Sequence, residues 1–245
     1  MEFAEHRDYA PGDDLRHLDW NALARHEKLV VKEFESELER TALIVVDFSL
    51  SMQGPKAERA ALVALALAWL WLRDQDRVAL GILGASAYHP AVRGSASWGK
   101  LSHWLERPCQ GRAGLVDQLQ FLAARVPARS TLIVLSDWLE QEALQVIPRL
   151  AFYQHQVAAL QILHPDEVEP PWSGPLRLID CEDGQEQLQH LDPQARDSYR
   201  QALQEHSLSM QKACRQRGFL WSQHLCTEAA DDLLTRHLVS QGWLT

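Results

Sequence analysis

Apolar positions in this chain fall into short continuous runs, separated by longer stretches in which they recur every third or fourth residue. The runs "LVVKEF" (29 to 34), "TALIVVDF" (41 to 48), "RVALGILG" (77 to 84) and "STLIVLSDW" (130 to 138) read as strands, as do 156 to 163 and "FLWSQHL" near the C-terminus. They are rich in β-branched residues and too short for buried helices. "SAYHPAV" reads as a further strand paired with 77 to 84, and "PLRLIDCEDGQEQLQHL" as a hairpin turning at Asp183-Gly184. Between them, helical spacing predicts helices over 55 to 73, 98 to 107, 115 to 125, 140 to 151, 194 to 217 and 228 to 240. Pro55 lies in the first turn of the first of these, and Gly218 ends the fifth. Apolar strands alternating with helices imply a three-layer α/β domain, with a mostly parallel central sheet flanked by helices in a Rossmann-like arrangement. Residues 3 to 27 are polar and turn-rich, so residues 1–40 read as an N-terminal extension and 41–245 as the domain.

Composition narrows the function. The chain has 245 residues, 46% of them hydrophobic and 23% charged, enough to bury a sizeable core. Lys and Arg total 24 against 33 Asp and Glu, a formal charge of −9. That balance argues against a general nucleic-acid binder and against docking to acidic membranes. Cys109, Cys181, Cys214 and Cys226 form no C-x-x-C pair and read as reduced thiols of a cytoplasmic protein. Residues 1 to 12 show no signal peptide, and the longest apolar run, Ala60 to Leu72, is too short to cross a bilayer.

The candidate chemistry sits in "LIVVDFSLSMQG", residues 43 to 54. Asp47 closes a strand, and Ser49 and Ser51 follow at alternate positions. Asp137 closes another strand. In open α/β sheets, ligands collect at the carboxyl ends of the strands. Two carboxylates and two hydroxyls there suit Mg²⁺, or Mn²⁺ or Ca²⁺, in an open site completed by water or a partner's carboxylate. The same residues also suit turns and helix caps, with Ser51 capping the helix that starts at Pro55.

"DFSLSM" after an apolar strand, followed by a long helix and "LIVLSDW", resembles the von Willebrand factor A domain. The resemblance implies a metal-ion-dependent adhesion site built from Asp47, Ser49, Ser51 and Asp137. Where it expects a Thr, this chain has Ala113, which leaves the set one ligand short and the binding weak. Upstream, "EFAEHRDYAPGDDLRHLDWNALARHEKLVVKEFESE" is similar to the signature of the bacterial "domain of unknown function 58" family, through Tyr9, Pro11, Gly12, Asp13, Asp14, Arg16, Asp19, Trp20 and Arg25. That resemblance implies a protein–protein interaction module rather than an enzyme. It also implies a MoxR-type AAA+ ATPase as partner, in assembling or remodelling other proteins. Family members often carry membrane helices upstream, so a chain beginning almost at the motif implies a soluble form or a truncated start.

Candidate partner-contact residues are Asp14, Arg16, Asp19, Trp20 and Trp138. Local Asp–Arg pairing and an inward anchor at Trp20 are the alternatives in the extension. Trp138, next to Asp137, reads equally as lining the metal face or as packing beneath it. Two further readings compete. "GSASWGKL", Gly94 to Leu101, nearly matches a phosphate-binding loop through Gly94, Gly99 and Lys100, and would make the chain a nucleotide-binding enzyme. A structural variant whose metal site has decayed is the other. No G-x-S-x-G or H-E-x-x-H motif is present.

Overall fold

The computed structural model describes residues 2–10, 20, 22, 29–35, 40–85, 87–106, 111, 114–181 and 184–233. They divide into two compact units, residues 1–39 and residues 40–245. In the first unit, strand β1 (Glu2–Asp8) pairs antiparallel with β2 (Val30–Glu35). β1 falls in the stretch expected to be turn-rich. Its sequence, EFAEHRD, alternates apolar with charged residues only briefly, and pairing with β2 supplies what periodicity does not.

The second unit is built on a six-stranded sheet. In chain order its strands are β3 (Thr41–Asp47), β4 (Arg77–Leu83), β5 (Ala87–Arg93), β6 (Thr131–Ser136), β7 (Gln156–Leu163) and, after a separate hairpin, β10 (Leu220–Leu225). Their spatial order is β10-β7-β6-β3-β4-β5. All neighbours run parallel except the edge strand β5, which is antiparallel to β4. The hairpin β8 (Gly174–Ile179) and β9 (Glu186–Leu191) forms its own two-stranded sheet. Gly184 lies at its turn with φ of 73°, while Asp183 lies outside the described residues.

Continuous apolarity in β3 follows from cover on both faces, and residues 43 to 46 have no exposure. Ile44 and Val46 face helix α1 (Pro55–Arg73) and helix α2 (Trp98–Leu105). Leu43 and Val45 face helices α3 (Leu115–Ala123), α4 (Ala143–Ala151) and α6 (Pro193–Arg215). Gly81 on β4 leaves room for Leu122, whose Cδ1 would lie 2.7 Å from a Cβ added there. Two short helices, α5 (Pro165–Val168) and α7 (Ala230–Leu233), complete the described part. No helix among the described residues is long and apolar enough to cross a membrane.

The carboxylate–hydroxyl site at the end of the central strands

The turn after β3 is pinned from below. Phe48 and Met52 are buried, Leu50 N–H donates to the Gly111 carbonyl at 3.1 Å, and residues 50 to 52 form a 3₁₀ turn. Ser49 and Ser51 thereby stand together, their hydroxyl oxygens 3.0 Å apart. Gly54 ends the turn at φ of 73°, and Pro55 opens α1. Ser51 does not cap α1, whose N-cap is Gly54.

Asp47 is 1% exposed, and both of its oxygens are engaged. Oδ1 accepts the Ser49 N–H at 2.9 Å, and Oδ2 accepts the Ser136 hydroxyl at 2.6 Å. Burial, then the neighbouring Asp137 charge, pushes its pKa up to about 6, against the pull of the Ser136 and Ser49 hydrogen bonds. Asp137 is equally buried, and its Oδ1 accepts the Leu139 N–H at 3.2 Å. Adjacent parallel strands β3 and β6 therefore bring Asp47, Ser49, Ser51 and Asp137 to one place, at the carboxyl edge of the sheet.

Of the two readings of Trp138, packing beneath the loop is the one found, and its candidacy as a partner contact is corrected. It has no exposure and packs edge-on against Trp221, ring centroids 6.1 Å apart, beneath the loop. Its φ of 55° is left-handed, an uncommon state for a bulky residue, with strain of order 1–3 kcal/mol. Four hydrogen bonds hold that backbone: Trp138 N–H to Ser136 Oγ, Leu139 N–H to Asp137 Oδ1, Gln161 Nε2 to the Asp137 carbonyl, and His206 Nε2 to the Trp138 carbonyl. The carboxylate of Asp137 is thus presented from a strained, over-determined turn.

Sequence reasoning missed Ser136, Glu140, Lys56 and Glu167 here. Ser136 orients Asp47. Glu140 accepts the N–H groups of Gly114 and Leu115 at the start of α3, at 2.8 and 3.1 Å. Lys56, only 4% exposed, reaches Asp137 Oδ2 at 3.1 Å and Glu167 Oε1 at 2.5 Å. Burial alone would lower the Lys56 pKa, but the charges of Asp137 and Glu167 outweigh it and the net shift is upward. One signal for Lys56 was legible: it lies on the same helical stripe as Ala60, Val63, Ala64 and Leu67, all buried.

Above these residues opens a cleft of about 770 Å³. Ser51 lines it, together with five carboxylates: Asp137, Glu140, Glu142, Glu167 and Asp180. Among the described residues no group of three or more His, Cys, Asp or Glu side chains gathers as metal ligands. A cation here would rest on two carboxylates and two hydroxyls, hard oxygens of the kind Mg²⁺ takes while keeping several waters. The donor chemistry therefore fits such an ion, with Asp137 already shared with Lys56. Ala113, Asp14, Arg16 and Asp19 lie outside the described residues. Trp20, in the N-terminal unit, is 64% exposed.

The phosphate-loop reading fails on topology. Arg93 pairs with Arg77 at the start of β4, whereas Asp47 pairs with Leu83 at its end. Gly94 therefore follows an edge strand at the opposite end of the sheet from Asp47. Leu101, where a metal-binding hydroxyl would stand, is buried core.

Residues 5–209 match the family described as "Protein of unknown function DUF58". The chain belongs to the DUF58 family. This DUF58 chain is 29% identical over 225 residues to an uncharacterized protein of Mycobacterium tuberculosis, covering 87% of this chain and 71% of the other. Its fold is similar to that of BatB from Bacteroides thetaiotaomicron, with a TM-score of 0.51 and 13% identity over 83% of this chain and 99% of that one. It is also similar, more loosely, to the VWA domain of SpRpn10, with a TM-score of 0.46 and 13% identity over 85% of this chain and all of the other (100%). The DUF58 chain is an α/β protein with a mostly parallel six-stranded sheet, and its Asp-x-Ser-x-Ser turn follows the central parallel strand β3.

Proposed function

We propose that this DUF58 chain is a non-catalytic protein-interaction module whose docking face is assisted by a divalent cation, Mg²⁺ or in its place Mn²⁺ or Ca²⁺. The observation that carries the reading is the convergence of Asp47, Ser49, Ser51 and Asp137 at the carboxyl edge of the sheet, where Ser51 and Asp137 line an open acidic cleft. When bound, the cation would supply positive charge and open coordination positions for a partner's carboxylate. Without it, the carboxylates lining the cleft repel an acidic partner, so docking depends on the ion. The chain's own part is positional. Ser136 and Ser49 N–H hold the Asp47 carboxylate, and the turn at Trp138 holds Asp137.

The partner proposed is a MoxR-type AAA+ ATPase, with which the chain would act in the cytoplasm to assemble or remodel other proteins. That partner is the one implied by the resemblance of the N-terminal motif to the family signature. In the N-terminal unit, exposed Trp20 is a candidate contact, with Asp14, Arg16 and Asp19 proposed beside it. The test is a pull-down of the purified ATPase by the full chain. Capture is expected with Mg²⁺ and is expected to fall by at least about tenfold, roughly 1.4 kcal/mol, with chelator or in Ser49→Ala/Ser51→Ala. Capture indifferent to both would remove the cation from the reading.

A further inference from the structure

The Lys56 ammonium stands where a cation at Asp137 would have to compete with it. Asp137 Oδ1 is occupied by the Leu139 N–H, which leaves Oδ2 as the oxygen open to the site, and Lys56 holds that oxygen at 3.1 Å. The same ammonium bridges to Glu167 Oε1 at 2.5 Å. Glu167 is itself fixed, because its Oε2 accepts the His164 N–H at 2.7 Å at the start of α5. Nothing in helix packing requires a lysine there. The stripe it occupies is otherwise Ala, Val, Leu and Trp, so a buried ammonium is placed at a cost that only its two carboxylate partners offset.

We propose that Lys56 is a tethered cation: it neutralises Asp137 in the metal-free protein and must give up Oδ2 when a divalent ion enters. This deepens the cation-assisted docking reading and rests on it. Two consequences follow from the geometry. First, the fold does not need metal, since Asp137 is never left buried without a counter-charge. Second, affinity for a bare ion is held low, and selectivity favours divalent ions, because a monovalent ion brings no more charge than the ammonium it displaces. Glu167 gives Lys56 a place to remain paired after it leaves Asp137, so release requires a pivot of one side chain rather than exposure of a charge. A partner's carboxylate then adds the ligand that tips the exchange. Cation and partner bind together, and neither binds well alone.

The experiment is a titration of the full chain with Mn²⁺, reading free Mn²⁺ by electron paramagnetic resonance. The proteins are wild type, Lys56→Met, Lys56→Arg, Asp47→Asn and Lys56→Met/Asp47→Asn. Lys56→Met is expected to bind Mn²⁺ at least about tenfold more tightly than wild type, and Lys56→Arg about as weakly as wild type. The gain should vanish in the double variant. Lys56→Met binding no more tightly than wild type, while wild-type binding is lost in Asp47→Asn, would overturn the role of Lys56 and leave the cation site standing. No binding in wild type or in folded Lys56→Met would overturn the site itself. If Lys56→Met does not fold, Glu167→Gln carries the test, because it removes the carboxylate with which Lys56 stays paired after leaving Asp137. A several-fold weaker Kd is expected there, and an unchanged or tighter Kd overturns the proposal.

Discussion

Trp138→Ala is expected to destabilise the 40–245 unit by about 3–5 kcal/mol, the range for emptying a fully buried aromatic position. Trp138 has no exposure and lies between the loop that carries Asp137 and the Trp221 ring. Its removal takes away both the volume and the packing that hold a left-handed backbone in place. Trp138→Phe should cost only about 1–2 kcal/mol, because the indole Nε1 is buried with no hydrogen-bond partner and its loss offsets part of the lost contact. Urea unfolding followed by circular dichroism measures both. Equal midpoints for the two variants would show that the loop is held by its hydrogen bonds alone.

The second expected result concerns the charge at the floor of the site. Asp47→Asn should stabilise the protein in chelator at pH 7.5 by roughly 1–3 kcal/mol, since two pKa units correspond to about 2.7 kcal/mol. The sign follows from the direction of the shift. The ordinary carboxyl value is 3.8, and burial with the Asp137 charge raises Asp47 to about 6 in the folded chain. Below about 3.8 both states are protonated and the burial of Asp47 carries no charge penalty. Between about 3.8 and 6 the folded state keeps a proton that the unfolded state releases, so stability falls as pH rises. Above 6 the full penalty is present. The advantage of Asp47→Asn should therefore be complete at pH 7.5 and disappear towards pH 4. Mg²⁺ should narrow it by stabilising wild type alone. A variant less stable than wild type at pH 7.5 would mean that the hydrogen bonds from Ser49 N–H and Ser136 outweigh the burial of the charge.

How far the sequence reached can be argued from these same residues. The run Leu43 to Val46 announced a strand covered on both faces, and it lies third from one edge of the six-stranded sheet. Asp47 and Asp137 stood at the ends of two such runs, and parallel neighbours with ends in register bring their carboxylates together. What was not legible depends on long-range partners. β1 is a strand because β2 pairs with it, not because of its own pattern. Ser136 reads as an ordinary strand residue until Asp47 lies across from it, 89 positions away in sequence. Lys56 gave a local signal, a charge on an apolar stripe, but its meaning needed Asp137 and Glu167, 81 and 111 positions away. Trp138 was ambiguous because a residue beside a strand end can point up into the cleft or down beneath it, and its left-handed backbone turns it down.

The central claim is that Asp47, Ser49, Ser51 and Asp137 together hold a divalent cation. The most direct measurement is paramagnetic broadening of assigned amide signals by substoichiometric Mn²⁺. Amides 47 to 51 and 136 to 140 are expected to broaden first, excess Mg²⁺ to restore them, and Asp47→Asn to remove the effect. Broadening that begins at exposed carboxylates elsewhere, or that survives Asp47→Asn unchanged, would contradict that claim.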